Sequence, residues 1–282
     1  MAEILELQRA EATRGRRVPF TVAVALALLI VLVVFAVFGS VIAPHDPDEQ
    51  RLLVSDTPPS SEFWAGTDQL GRDVLSRSIV GARTALVGAV VVSVGAFVIA
   101  TVLGLISGYL GGATDAVVMR SVDLMLALPG LLIAIVVVGV VGGGFWVAVL
   151  VLIVLFAAPD TRIVRSAVLE QRPLPYIEAA RTLGVSKPRV MFGHILPNIT
   201  PIILAYIVID FAFALIALAS LSFLGLGVDP GTADWGRMLF ENKGLLFSNP
   251  WAVVVPALFI IAAAASMNLA GDWLYDRYSL RR

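Results

Sequence analysis

The 282-residue sequence contains no cysteine, so disulfides, thiolate metal sites and cysteine nucleophiles are excluded and the redox compartment leaves no mark on it. Histidine is nearly absent. Only His45 and His194 supply imidazole, far apart and without ligand spacing, which argues against a metal centre. Charge is scarce as well: 15% of the residues are Asp, Glu, Lys or Arg against 59% hydrophobic, more apolar than a soluble domain of this length needs. No GxxxxGK[ST] phosphate loop occurs, so ATP hydrolysis by this chain is not expected. Internal repeats and low-complexity segments are also lacking.

What the sequence has is long uncharged runs. About twenty apolar residues, at roughly 1.5 Å each, cross a hydrocarbon core of about 30 Å. Six stretches qualify: Phe20–Ala43, Thr84–Leu110, Val122–Val141, Phe145–Val164, Ile199–Leu226 and Trp251–Leu269. The expected fold is an all-α integral membrane protein with six transmembrane helices and both termini on one side. Arg14, Arg16 and Arg17 before the first run give it the look of a secretory signal. It is too long for an h-region and ends in Pro44-His45-Asp46-Pro47, so a retained helix is expected.

Orientation follows from where Lys and Arg collect in short loops. After the fourth span stand Arg162, Arg165, Arg172, Arg181, Lys187 and Arg189 against only Glu170 and Glu178, which places that segment in the cytoplasm. After the first span, acidic residues from Asp46 to Asp73 outnumber Arg51, Arg72, Arg77 and Arg83, which suits the outer side. The expected layout is a cytoplasmic segment 1–19, a first helix 20–43, an extracytoplasmic segment 44–83, a core 84–275 with a cytoplasmic loop at about 165–198, and a cytoplasmic tail 276–282 containing Arg277, Arg281 and Arg282.

Two segments between spans read as structured. In Asp68–Val80, Leu70, Val74, Leu75 and Ile79 recur at helical spacing among charges, which predicts an amphipathic helix in the outer interface leading into the second span. Asp229–Pro250 is rich in apolar residues and is expected to fold back on the membrane or a partner; its Trp235 and the nearby Trp251 suit interfacial anchors equally. Arg120 and Asp123 read as an interfacial or structural pair, and Asp160 lies near the end of the fourth span. Small residues four apart, Gly104, Gly108 and Gly112, with Gly139 and Gly143, mark helix packing faces.

The loop Pro175–Pro197 is too patterned for a plain connector. Tyr176–Leu183 reads as a short helix stopped by Gly184 in a left-handed conformation, Ser186 as the cap of a second helix over about Lys187–His194, and Pro197 as a break before the fifth span. Ala179 and Ala180 keep one face slim enough to enter a groove, and Glu178 suits the first turn and a basic partner residue. From the residues alone, a partnerless membrane-surface elbow is an equal reading.

Glu178-Ala179-Ala180, three residues, Gly184, nine residues and His194-Ile195-Leu196-Pro197-Asn198 resembles the EAA loop of the permeases of ATP-binding cassette (ABC) importers, in the HILPN form of the dipeptide and oligopeptide branch. The segment Gly66-Thr67-Asp68-Gln69-Leu70-Gly71-Arg72-Asp73-Val74-Leu75-Ser76-Arg77 is similar to the approach to the second span in its C-type subunits. So is Leu221-Ser222-Phe223-Leu224-Gly225-Leu226-Gly227, with Trp235-Gly236, to the end of their fifth span. The resemblance implies a MetI-like core of five helices behind an N-terminal one, in a bacterial-type inner membrane. It also implies that Tyr176, Glu178, Ala179, Ala180, Thr182 and Gly184 couple the spans to a cytoplasmic ATPase. A B-type permease, two ATPase subunits or domains and an extracytoplasmic solute-binding protein are the implied partners. ATP and magnesium belong to those ATPases, and no cofactor to this chain.

Asp210 sits well inside the fifth span. It is a candidate translocation-path residue facing a peptide amino group, or a helix-to-helix hydrogen bond. The expected function is import of di- or oligopeptides without covalent chemistry, with nickel chelates, haem or glutathione as other solutes of the same class. A membrane-embedded enzyme lacks a nucleophile and base, since no histidine lies near Asp210, Ser220 and Ser222. A self-contained channel lacks charge rings or a filter-like loop.

Overall fold

Between Val74 and Leu110 no proline interrupts the chain, and in the computed structural model, which describes residues 19–279, that stretch is one helix of 37 residues. It is the second of ten helices among the described residues: α1 Phe20–Ile42, α2 Val74–Leu110, α3 Gly112–Leu126, α4 Gly130–Val141, α5 Phe145–Gln171, α6 Pro175–Thr182, α7 Lys187–Val190, α8 Leu196–Phe223, α9 Trp235–Asn242 and α10 Trp251–Ser279. Five helical stretches are long and apolar enough to span a membrane, and a sixth is added if the bent pair α3–α4 counts as one. The expected all-α membrane fold is therefore observed. The arginines of segments 1–18 and 280–282, and the Arg277 side chain, lie outside the described residues.

Three boundaries differ from the sequence expectation. The interfacial helix over Asp68–Val80 is not a separate element: Asp68–Arg72 is loop, the Asp73 carboxylate caps α2 by accepting from the Ser76 amide at 3.0 Å, and the spanning helix has already begun at Val74. The third span is broken at Pro129, where α3 and α4 meet at 83°, because the residue before a proline avoids helical backbone and proline offers no N–H. Pro197, by contrast, breaks nothing. A π-turn over Met191–Ile195 joins α7 to α8, so Lys187–Phe223 is one continuous spanning stretch. The wider i→i+5 turn shifts the hydrogen-bond register just where a proline N–H is missing.

Helix α2 runs through the centre of the bundle, packed on α5, α1 and α8, with α10 closing against α8 and α1. Its partnership with α5 depends on small residues. A Cβ at Gly104 would lie 2.7 Å from the Val164 side chain and 2.9 Å from the Arg165 backbone nitrogen, and one at Gly108 2.9 Å from Val168. Those two glycines form the expected packing face. Gly112 has open space around it and Gly139 meets only Leu226 at 4.0 Å, so neither packs closely against another helix of this chain. Gly142, Gly143 and Gly144 instead take φ values of 112°, 77° and 102°, and so make the turn from α4 into α5. Gly104→Leu is expected to lose about 1–3 kcal/mol by overpacking, seen as a lower melting temperature in detergent, while Gly139→Ala stays at wild type.

At the end of the bundle where α2 begins, the charges of the Asp68–Val80 segment are buried against residues far along the chain. Arg72 Nε donates to Asp68 Oδ2 at 2.6 Å and its Nη2 to Glu241 Oε2 at 2.9 Å. Arg77, with a side chain only 1% exposed, donates to the carbonyls of Pro47 and Gly231 at 3.0 Å and of Thr232 at 3.3 Å, with Asp48, Asp68 and Glu241 around it. Burial pushes the Glu241 carboxyl up, but hydrogen bonds from Arg237, the Gly231 amide and Arg72 outweigh it and hold it below the ordinary glutamate range. The expected fold-back of Asp229–Pro250 is realised within the chain: α9 packs on α8 and α10. Trp235 is fully buried and its Nε1 donates to the Ser78 carbonyl at 2.8 Å, so it is a core residue rather than an interfacial anchor.

Candidate functional site

At the opposite end of α2, the chain leaves α5 and turns at once into α6. Pro175 occupies the first turn, where its missing N–H costs nothing. The far end is a Schellman stop: the Val185 amide donates to the Ala180 carbonyl at 3.1 Å, the Gly184 amide to the Arg181 carbonyl at 3.0 Å, and Gly184 takes φ +74°. Val185 also packs against the buried cluster to which Ala180 belongs.

The helical period decides which residues look outward. Ile177 and Ala180, three apart, are buried in a cluster with Leu105, Tyr109, Val164, Val168, Val190 and Ile195, so they seat α6 on the ends of α2 and α5. Tyr176, Glu178, Ala179, Thr182 and Gly184 are exposed. The two alanines therefore do not share one slim face: Ala180 is the anchor and Ala179 the outward residue. Leu183, 83% exposed, was not singled out from the sequence. Its signal was available, because it lies seven residues after Tyr176 and four after Ala179, and completes an outward apolar stripe. Beside this elbow Arg172, Arg181 and Lys187 line a cavity of about 280 Å³ with Tyr109, Leu110 and Val185, and none of the three forms an ion pair among the described residues.

Asp210 lies near the middle of α8, on the wall of a cavity of about 480 Å³ between α4, α5 and α8. Asp160 of α5 stands beside it, where α5 packs against α8. Asp160, read from the sequence as near the end of the fourth span, stands further from an end than expected because α5 runs on to Gln171. It lies mid-helix and is 2% exposed. Asp123 pairs with Arg162 rather than with Arg120, because both Asp123 and Arg162 lie where α3 crosses α5. No cluster of three or more metal-ligating side chains occurs among the described residues.

Five or six apolar spans with a capped helical elbow held out at one end define a multi-pass integral membrane protein. Comparison with known proteins gives the family. The chain belongs to the inner membrane components of binding-protein-dependent transport systems, matching that family over residues 100–282. Residues 21–59 match a second family, the N-terminal TM domain of oligopeptide transport permease C. The chain is similar to the glutathione transport system permease protein GsiD of Pectobacterium atrosepticum, at 37% identity over 90% of this chain and 85% of that one. It is 36% identical to the di/tripeptide transport system permease protein DppC of Pseudomonas aeruginosa, over 88% of this chain and 84% of that one. It is 35% identical to the oligopeptide transport system permease protein OppC of Bacillus subtilis, over 90% and 83%. The resemblance carried by the EAA and HILPN residues is borne out at family level, and the protein is an integral inner-membrane permease.

Proposed function

We propose that this chain is the C-type permease of an ABC importer for short peptides, that it forms the translocation path with a second permease, and that α6 is the part gripped by an ATPase. The observation that carries the reading is the exposed face of α6. Tyr176, Ala179 and Leu183 form an apolar stripe flanked by Glu178 and Thr182, on a helix whose other face, Ile177 and Ala180, is locked into the bundle. An element buried on one side and apolar on the other transmits force between two bodies. The excess of Lys and Arg around it supports a cytoplasmic location, which puts the Arg77 end outside, within reach of a solute-binding protein. Relatives named for dipeptides, oligopeptides and glutathione support a solute class of short peptides, since glutathione is itself a tripeptide. The second permease would cover the exposed apolar residues of α3 and α4, such as Leu124, Leu132, Val136 and Val140.

Leu183→Asp tests the grip. It places a charge on the outward stripe without touching the bundle, so insertion and melting temperature stay at wild type while ATPase recovered with the complex falls at least tenfold. Undiminished ATPase recovery and uptake would overturn the assignment of α6, and robust ATP turnover by this chain purified alone would overturn the whole reading.

A further inference from the structure

Four hydrogen-bond donors meet at the α6 end of the molecule with no protein acceptor among them. Arg172 follows the last residue of α5, Arg181 and Lys187 stand on either side of the turn after α6, and Tyr109 is one residue from the end of α2; all four line the cavity of about 280 Å³ described above. The ion pairs of α5 are those of Arg162 with Asp123 and Arg165 with Asp115, and among the described residues Arg172, Arg181 and Lys187 enter none. Tyr109 is only 7% exposed, yet its hydroxyl keeps open surface and bonds to none of the described residues. Buried hydroxyls are normally hydrogen-bonded. One left open beside three unpaired cations points to a ligand.

Helix ends do not answer that much charge. Helices α2, α5 and α6 all finish at this cavity, and Arg172 Nη1 lies 3.5 Å from where a Cβ on Gly111 would sit, just past the end of α2. Each helix C-terminus is worth about half a negative charge, so three of them balance at most half of three full cations. The missing partner is an anion with several acceptor oxygens. Its other end is apolar. Leu110 is 41% exposed, and Ile106 and Leu103, four and seven residues before it, lie on the same side of α2 with surface open, so an apolar ladder climbs from the cations along the spanning helix. Arg181 stands about 200° round α6 from both Ala179 and Leu183, so the cavity faces away from the outward stripe. We propose that Tyr109, Arg172, Arg181 and Lys187 bind the phosphate of an anionic phospholipid in the leaflet on the α6 side, with an acyl chain along Leu110, Ile106 and Leu103. A choline headgroup would bring a fourth cation to the same place, so phosphatidylcholine is disfavoured.

The inference goes beyond the permease reading and does not depend on which solute is carried. The full-length chain, with the subunits that co-purify, is titrated in detergent with dioleoylphosphatidylglycerol and with dioleoylphosphatidylcholine, and the lipids retained are counted by native mass spectrometry. Wild type is expected to hold one phosphatidylglycerol at least tenfold more tightly than phosphatidylcholine. Arg172→Gln combined with Lys187→Gln removes that lipid, and Tyr109→Phe weakens it about tenfold, the usual worth of a hydrogen bond to a charged group. Arg83→Gln, which deletes an exposed cation towards the other end of α2, leaves it in place. Each variant is first shown to melt at the wild-type temperature; if the double variant does not fold, Tyr109→Phe, which removes a single oxygen, decides. Equal retention of the two lipids by wild type, or undiminished retention in the cavity variants that fold, overturns the proposal. So does displacement of the lipid by millimolar inorganic phosphate, which would assign the cavity to a soluble anion, and so does its release on adding ATPase, which would assign the cavity to an acidic group of that partner.

Discussion

Replacing Arg77 with methionine is expected to destabilise the protein by about 3–5 kcal/mol, the usual consequence of deleting one member of a buried charge network. The guanidinium ties α2 to two distant pieces of chain, through the carbonyls of Pro47 on one and of Gly231 and Thr232 on the other. Methionine keeps the apolar stem but stops short of the guanidinium position, and leaves those carbonyls without donors and Asp68 and Glu241 with less positive charge. The measurement is thermal unfolding in detergent together with limited proteolysis. Cleavage should open first in the loops before α2 and before α9, while α5 and α6 stay protected. Wild-type melting and an unchanged cleavage pattern would show that the cluster adds nothing. The same cluster sets a pH dependence. Because Glu241 is held below the ordinary glutamate range, its contribution is fully present above about pH 4.3 and is lost as pH falls through its lowered folded-state value. Glu241→Gln should flatten that acid limb.

Gly184→Val is expected to leave insertion intact and to cut uptake, and the ATPase recovered with the complex, by at least tenfold. Beyond its own chain neighbours nothing lies within 4 Å of where its Cβ would sit, so an added Cβ meets no clash. The effect comes from φ +74° alone, a conformation that a β-branched residue adopts only with strain of about 1–3 kcal/mol. That strain is small beside the whole bundle and large beside one Schellman turn. The turn fixes the direction in which α6 leaves its seat, so its loss moves the outward stripe more than it lowers the melting temperature. Gly184→Asn, which tolerates the left-handed region better, should retain most uptake. Valine with undisturbed uptake and ATPase recovery would refute the role of the turn.

What could be read directly from the residues was what local rules decide. The apolar runs are visible because span length depends on composition alone. The Gly184 stop followed from turn chemistry. The readings that moved were those in which a distant residue decides. Arg72 and Arg77 have the spacing of a solvated helix face, and only Glu241 and Gly231, more than 150 residues on, turn that face into a buried cluster. Hydropathy averaging over Val122–Val141 cannot register a bend at Pro129, and it took a π-turn upstream to let the helix pass Pro197. Asp210 was recognisable as a costly residue. Asp160, fifty positions earlier, comes to stand beside it only once α5 and α8 are packed side by side.

The unbroken α2 gives the molecule a mechanical property beyond packing. At roughly 1.5 Å per residue its 37 residues reach about 55 Å, well past a hydrocarbon core of about 30 Å. One end is capped within the buried arginine cluster and the other lies against the seat of α6. A stiff lever of that length carries a rotation of one degree at one end into a displacement of about 1 Å at the other. If α6 is gripped as proposed, a nudge at its elbow and a rearrangement around Arg77 would be two ends of one movement, since the 37 residues of α2 form one unbroken helix.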